Sequence, residues 1–184
     1  MDLDTGVARA VDDFYTGTVA AACGGTTTIV DHMAFGPKDC KLGHQTKVYQ
    51  QLAADKAVVD YGFHEVIQHM DEETKKNMAW LCQQGITSFK GYLTYDYKLD
   101  DSAIYQMMLQ CKELEAIPAF HAENHDILTY LRNKYKQEGK LSPQYHALSR
   151  PDTVEAEAIA RLLTIARMAK DAPVYIVHLS TKKG

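Results

Sequence analysis

The strongest constraint on this chain is an alternation of helix-like and strand-like stretches, repeated at roughly 30-residue intervals. Short apolar, β-branched runs at 26–30, 58–67, 86–93, 117–121 and 174–178 read as five strands, the second interrupted by Gly62. Between them lie stretches of helical period with helix-start signals. Asp12 or Asp13 precedes Phe14, Val19 and Ala22, and Gly24-Gly25 ends that helix. A helix over 44–54 follows, with Val48 and Leu52 as its apolar positions, and Asp71 opens another through Met78, Ala79 and Leu81. Asp100 or Asp101 opens a helix with Ile104, Met107, Met108 and Cys111 on one face, and Asn124 or Asp126 opens one with Ile127, Leu128, Leu131 and Tyr135. After a loop at 142–146, Pro151 reads as a first-turn proline. Asp152 and Glu155 have capping-box spacing, ahead of a stripe of Val154, Ala158, Leu162, Ile165 and Met168.

Strands joined by helices with short connections imply parallel pairing through right-handed crossovers. A dinucleotide-binding sheet would carry a glycine-rich turn after its first strand, but Cys23-Gly24-Gly25-Thr26 precedes one and no G-x-G-x-x-G occurs. The α/β alternation therefore predicts a TIM-barrel (β/α)8 fold. With 184 residues against the about 250 such a barrel needs, it is incomplete, at about five of eight strand–helix units. Residues 1–184 read as the central part of one catalytic domain, with no second domain.

Charge and composition narrow the function. A net charge of −4 with no basic stripe argues against nucleic acid, and no apolar run approaches the about 20 residues of a membrane span. The acidic start Met1-Asp2-Leu3-Asp4 does not read as a signal peptide, and Cys23, Cys40, Cys82 and Cys111 are scattered. Both features predict a cytoplasmic setting with reduced thiols.

The chemistry centres on Lys90, in the middle of an apolar strand. An ammonium there is desolvated, so it must be snorkelling, paired or chemically altered. Tyr95 offers a phenol just beyond that strand. The strands at 117–121 and 174–178 end in His121 and His178, so three polar side chains gather at one rim if the strands are parallel. Neutral imidazoles suit Zn2+. A lysine beside metal-bound histidines must be neutral, or converted by CO2 into a carbamate able to bridge two metals roughly 3.5–4 Å apart.

These residues sit in stretches that together resemble the cyclic amidohydrolases of the D-hydantoinase/dihydropyrimidinase branch, the phenylhydantoinase-like enzymes closest. The stretches run from Asp12-Asp13-Phe14-Tyr15-Thr16-Gly17-Thr18 through Gly24-Gly25-Thr26-Thr27-Thr28-Ile29-Val30-Asp31, Asp60-Tyr61-Gly62-Phe63-His64 and Ser88-Phe89-Lys90. They continue with His121-Ala122-Glu123-Asn124, His146-Ala147-Leu148-Ser149-Arg150-Pro151, Glu155-Ala156-Glu157-Ala158 and Val177-His178-Leu179-Ser180. The resemblance implies a metal-dependent hydrolase that opens cyclic ureides and imides at a ring C–N bond. It casts Lys90 as a carbamylated ligand bridging two divalent ions, Zn2+ by default, and His121 and His178 as ligands of one of them. Tyr95 becomes the residue that binds substrate and stabilises its oxyanion, and Tyr92 a wall of the substrate pocket. Phe35 and Met33 are further bulky candidates for that pocket. The resemblance also implies a homodimeric or homotetrameric parent.

Two family features are missing: a His-x-His pair on the first strand and an aspartate on the last. His32, His64, His69 and His125 do not replace the pair, and His64 is expected to be a hydrogen-bonding strand-end residue. The chain thus looks like an internal piece of the enzyme, inactive alone. The competing reading is a catalytically silent scaffold like the collapsin-response mediator proteins, which has no need of the lysine and both histidines. Allantoinase or dihydroorotase is an alternative within the enzyme class, and Tyr95 weighs against it.

Overall fold

A computed structural model describes residues 1–4, 8–37 and 40–184. The chain divides into two compact units, 1–89 and 90–184, and the division falls inside one strand.

The first unit opens with α1 (Phe14–Cys23), β1 (Thr28–His32), α2 (His44–Ala53), β2 (Asp60–Val66) and α3 (Glu72–Gln83). Asp13 caps α1: its carboxylate accepts from the Thr16 amide while Thr16 returns a bond to the cap. Asp71 accepts from the Thr74 amide at the start of α3. β1 and β2 pair in parallel, with Thr28 opposite Asp60 and His32 opposite His64. Gly62 does not interrupt β2; it lies in register opposite Val30. Alternation along β2 sends Phe63 toward the helices, where it meets Phe14 and Tyr49 edge to face at 6.3 and 6.2 Å. Those three rings are buried in the core of this unit with Ile67, Met78 and Leu81. Met33, expected near a pocket, is fully buried.

The strand β3 (Ser88–Tyr92) carries the chain into the second unit. There follow α4 (Asp101–Glu113), β4 (Ile117–His121), α5 (His125–Gln137), α6 (Gln144–Leu148), α7 (Asp152–Met168) and β5 (Tyr175–Ile176). Asp100 and Asn124 cap α4 and α5 through the Ala103 and Ile127 amides. Within this unit β3, β4 and β5 are neighbours in that order, and β4–β5 is parallel. Their carboxyl ends meet at one edge, where the Leu93 amide donates to the His121 carbonyl and the Val177 amide to the Phe120 carbonyl, both at 3.1 Å. Ile104, Met107, Met108 and Cys111 of α4 are fully buried, as their spacing predicts, and α7 contributes Val154, Ala158 and Leu162.

Several expectations need correction. Residues 144–148 form α6 rather than loop, because Tyr145 packs on Tyr135 of α5 with ring centroids 5.2 Å apart, a tertiary contact that local composition does not encode. Pro151 is the N-cap of α7, and no side-chain cap bond forms there; Asp152 and Glu155 are not a capping box, because Glu155 bonds elsewhere. Met168 is exposed, so the buried stripe of α7 is narrower than expected. β5 is shorter than 174–178, leaving His178 beyond its end. Among the described residues no disulfide forms, and no helix is long and apolar enough to cross a membrane.

Candidate active site

Lys90, Tyr92, Tyr95, His121 and His178 all lie in the second unit. Lys90 sits mid-strand in β3, where both faces are covered, and its side chain is buried. Its Nζ has no hydrogen-bond partner among the described residues and lies 4.4 Å from the centre of the Tyr92 ring. A cation–π contact offsets only part of the cost of burying an ammonium. Burial accordingly pulls the Lys90 amine down to about 8, so about a tenth of it is neutral at pH 7.

His121, the last residue of β4, turns its Nδ1 toward His178 Nε2 at 3.1 Å. The two rings meet edge to face, with centroids 4.8 Å apart. Burial pulls the His178 imidazole below its ordinary value, with His121 and Lys90 adding to the effect. The neutral form, which can donate a lone pair to a cation, is therefore favoured. Behind His121, Glu123 Oε2 lies 2.7 Å from Nε2. Burial pushes the Glu123 carboxyl up, but the His121 and Arg150 interactions outweigh it and hold the group below its usual value. Behind His178, the buried Glu155 carboxylate accepts from the Ser180 amide at 3.0 Å and the Thr181 amide at 2.8 Å. The segment that carries His178 is thus tied to the first turn of α7.

The loop after β3 supplies the aromatic wall. It is closed by the Leu99 amide, which donates to the Tyr92 carbonyl at 2.8 Å. Tyr95 stacks within 5.4 Å of His121, Tyr92 within 6.0 Å of it, and Tyr97 within 5.0 Å of Tyr92 (ring centroids). Burial pushes the Tyr92 phenol well above its ordinary value, with Tyr97 and Tyr95 contributing, so this hydroxyl stays protonated. Two of these residues have left-handed backbones, Tyr95 at φ 73° and His178 at φ 37°. Such conformations cost a residue with a Cβ about 1–2 kcal/mol and gather at functional sites.

Glu123, Arg150, Glu155 and Tyr97 received no site role from sequence reasoning. Three of them lie in quoted motifs, where as ordinary charged residues they break no local pattern. In the first unit, His64 Nδ1 lies 2.6 Å from Ser88 Oγ, the expected hydrogen-bonding role. Phe35 lines a separate cavity of about 470 Å3 in that unit. Among the described residues no cluster of three or more His, Cys, Asp or Glu side chains converges as a ready metal cage. Two facing imidazole nitrogens are nevertheless of a donor type that suits a metal, and the unpartnered Lys90 amine lies in the same unit.

No protein-family model matches the chain. It is 50% identical to the D-phenylhydantoinase of Escherichia coli O9:H4 (strain HS) over 183 residues, which is all of this chain and 40% of that protein. The D-hydantoinase of Bacillus sp. AR9 superposes with a TM-score of 0.95 at 36% identity, over the whole chain and 40% of that structure. The dihydropyrimidinase of Brevibacillus agri NCHU1002 gives 0.94 at 36% identity with the same coverage. The parallel strand–helix arrangement is therefore that of part of a TIM barrel. The chain spans about 40% of the length of the curated relatives it matches.

Proposed function

This chain is, along its whole length, a part of the D-hydantoinase/dihydropyrimidinase family, and from that premise we propose that it carries half of a metal-dependent site for opening cyclic ureides and imides. The observation that supports the reading most directly is the buried, unpartnered amine of Lys90 in the same unit as two imidazole nitrogens that face each other at 3.1 Å. A purely structural lysine would be expected to find an acceptor or reach solvent.

In this reading the neutral Lys90 amine attacks the carbon of CO2, forming the N–C bond, and releases one proton to give a carbamate. That carbamate, His121 Nδ1 and His178 Nε2 are the groups that hold divalent metal, Zn2+ in the first instance. When bound, the metal supplies Lewis acidity and brings the pKa of water close to neutral, giving a nucleophile for the ring carbonyl. Tyr95, on its strained loop beside His121, donates from its phenol to the carbonyl oxygen as negative charge develops there. The raised pKa of Tyr92 keeps that ring neutral, and it walls the place where a substituent of the substrate would sit. The substrate class is a hydantoin or dihydropyrimidine, and the parent assembly a cytoplasmic homodimer or homotetramer, both from the family resemblance.

The test is intact-mass and metal analysis of the chain in bicarbonate with Zn2+. A gain of one CO2 and about one metal ion per chain, both abolished in Lys90→Gln, is the expected result. A chain that gains neither overturns the reading.

A further inference from the structure

Two of the stretches that carry the family resemblance hold charged side chains that the proposed chemistry leaves idle. Glu123 joins His121 Nε2 through Oε2 at 2.7 Å and Arg150 Nε through Oε1 at 3.3 Å. Arg150 in turn places Nη1 3.2 Å from His146 Nδ1. The side chains of His121, Glu123 and Arg150 are all mostly buried, at 13–18% exposure.

An ionised carboxylate has only lone pairs to offer, so the hydrogen in its contact with the ring must sit on His121 Nε2. A neutral imidazole has one N–H, which leaves Nδ1 with its lone pair. Nδ1 is the nitrogen that faces His178. The guanidinium, which only donates, holds the other carboxylate oxygen and so fixes the orientation of the Glu123 side chain.

We propose that Glu123 and Arg150 are positioning residues that lock His121 in the tautomer presenting Nδ1 as a metal donor. The inference rests on the reading of His121 as a ligand. It makes a distinctive prediction, because Arg150 decides what an amide at position 123 does. In Glu123→Gln only one end of the side chain accepts, and Arg150, having nothing but donors, claims that end. The NH2 group then faces His121 Nε2, which must become an acceptor, and the ring proton moves to Nδ1. Removing the guanidinium as well, in Glu123→Gln/Arg150→Met, frees the amide to turn its oxygen back to Nε2.

The experiment is long-range 1H–15N NMR of the ring nitrogens in the metal-free chain, followed by Zn2+ titration of the same samples. Wild type is expected to show the Nε2–H form of His121, Glu123→Gln the Nδ1–H form, and the double variant the Nε2–H form again. Zn2+ binding should weaken about 10- to 100-fold in Glu123→Gln and recover most of that loss in the double variant. Glu123→Ala, which leaves Nε2 without a partner, should give mixed tautomers and serves if the glutamine variant does not fold. An unchanged tautomer in the position-123 variants overturns the inference, as does equal Zn2+ affinity. Equal affinity leaves the ligand reading standing. A wild-type chain that binds no Zn2+, indistinguishable from His121→Ala, overturns the ligand reading and this inference together.

Discussion

At the scale of single residues, Lys90 is a destabilising element that the fold retains. Its amine falls from an ordinary 10.5 to about 8 through burial, so between those values the unfolded chain holds the proton more tightly than the folded one. Stability therefore rises as pH climbs from about 8 to about 10.5, and the penalty, about 3 kcal/mol at most, is fully present below pH 8. Lys90→Met should accordingly stabilise the CO2-free chain at pH 7, by about 2 kcal/mol, in urea denaturation. That advantage should shrink toward pH 10, and a gain that stays constant with pH would show that the amine is not the cause. Lys90, His121 and His178 were legible in the sequence because a lysine inside an apolar run and histidines at strand ends break the local pattern. Glu123 and Arg150 break none. They are ordinary charged residues near helix ends, and only the folded chain brings position 150 to position 123.

At the scale of elements, a few close contacts hold the site strands. A Cβ at Gly91 would lie 2.8 Å from the fully buried Phe120 ring and 3.2 Å from Leu99. Gly91→Ala should therefore cost about 1–3 kcal/mol by forcing β3 and β4 apart, read as a lowered denaturation midpoint with unchanged slope. Glu155→Ala should cost a similar amount, since two backbone amides lose their acceptor. Hydrogen exchange at Ser180 and Thr181 should speed up in that variant while α4 stays protected. Capping was the most legible feature at this scale: Asp13, Asp71, Asp100 and Asn124 all bond amides three residues on, a relation contained in the local sequence. The acidic pair at the start of α7 has the same spacing and misleads, because Glu155 turns to the 180–181 backbone 25 residues away. The short α6 and the truncated β5 were illegible for the same reason, being set by distant contacts.

At the scale of the whole molecule, the chain has on the proposed reading one pair of histidine ligands and a lysine, and its sequence contains no histidines two apart. The chain by itself, loaded with Zn2+ and bicarbonate, should bind metal without opening hydantoin or dihydrouracil, followed by ultraviolet loss of the ring. Measurable turnover would mean that other groups complete the site. One local feature reaches across the whole stability of the protein. Tyr95 occupies a backbone conformation that glycine adopts freely, so the phenol is held in place against the preference of its own main chain. A population selected for heat tolerance alone should drift to glycine at this position early and be rewarded for it, while one selected for turnover in a complete enzyme should keep the tyrosine. On the role proposed for Tyr95, thermal engineering of such a chain would thus cost chemistry at this position before any core residue changed.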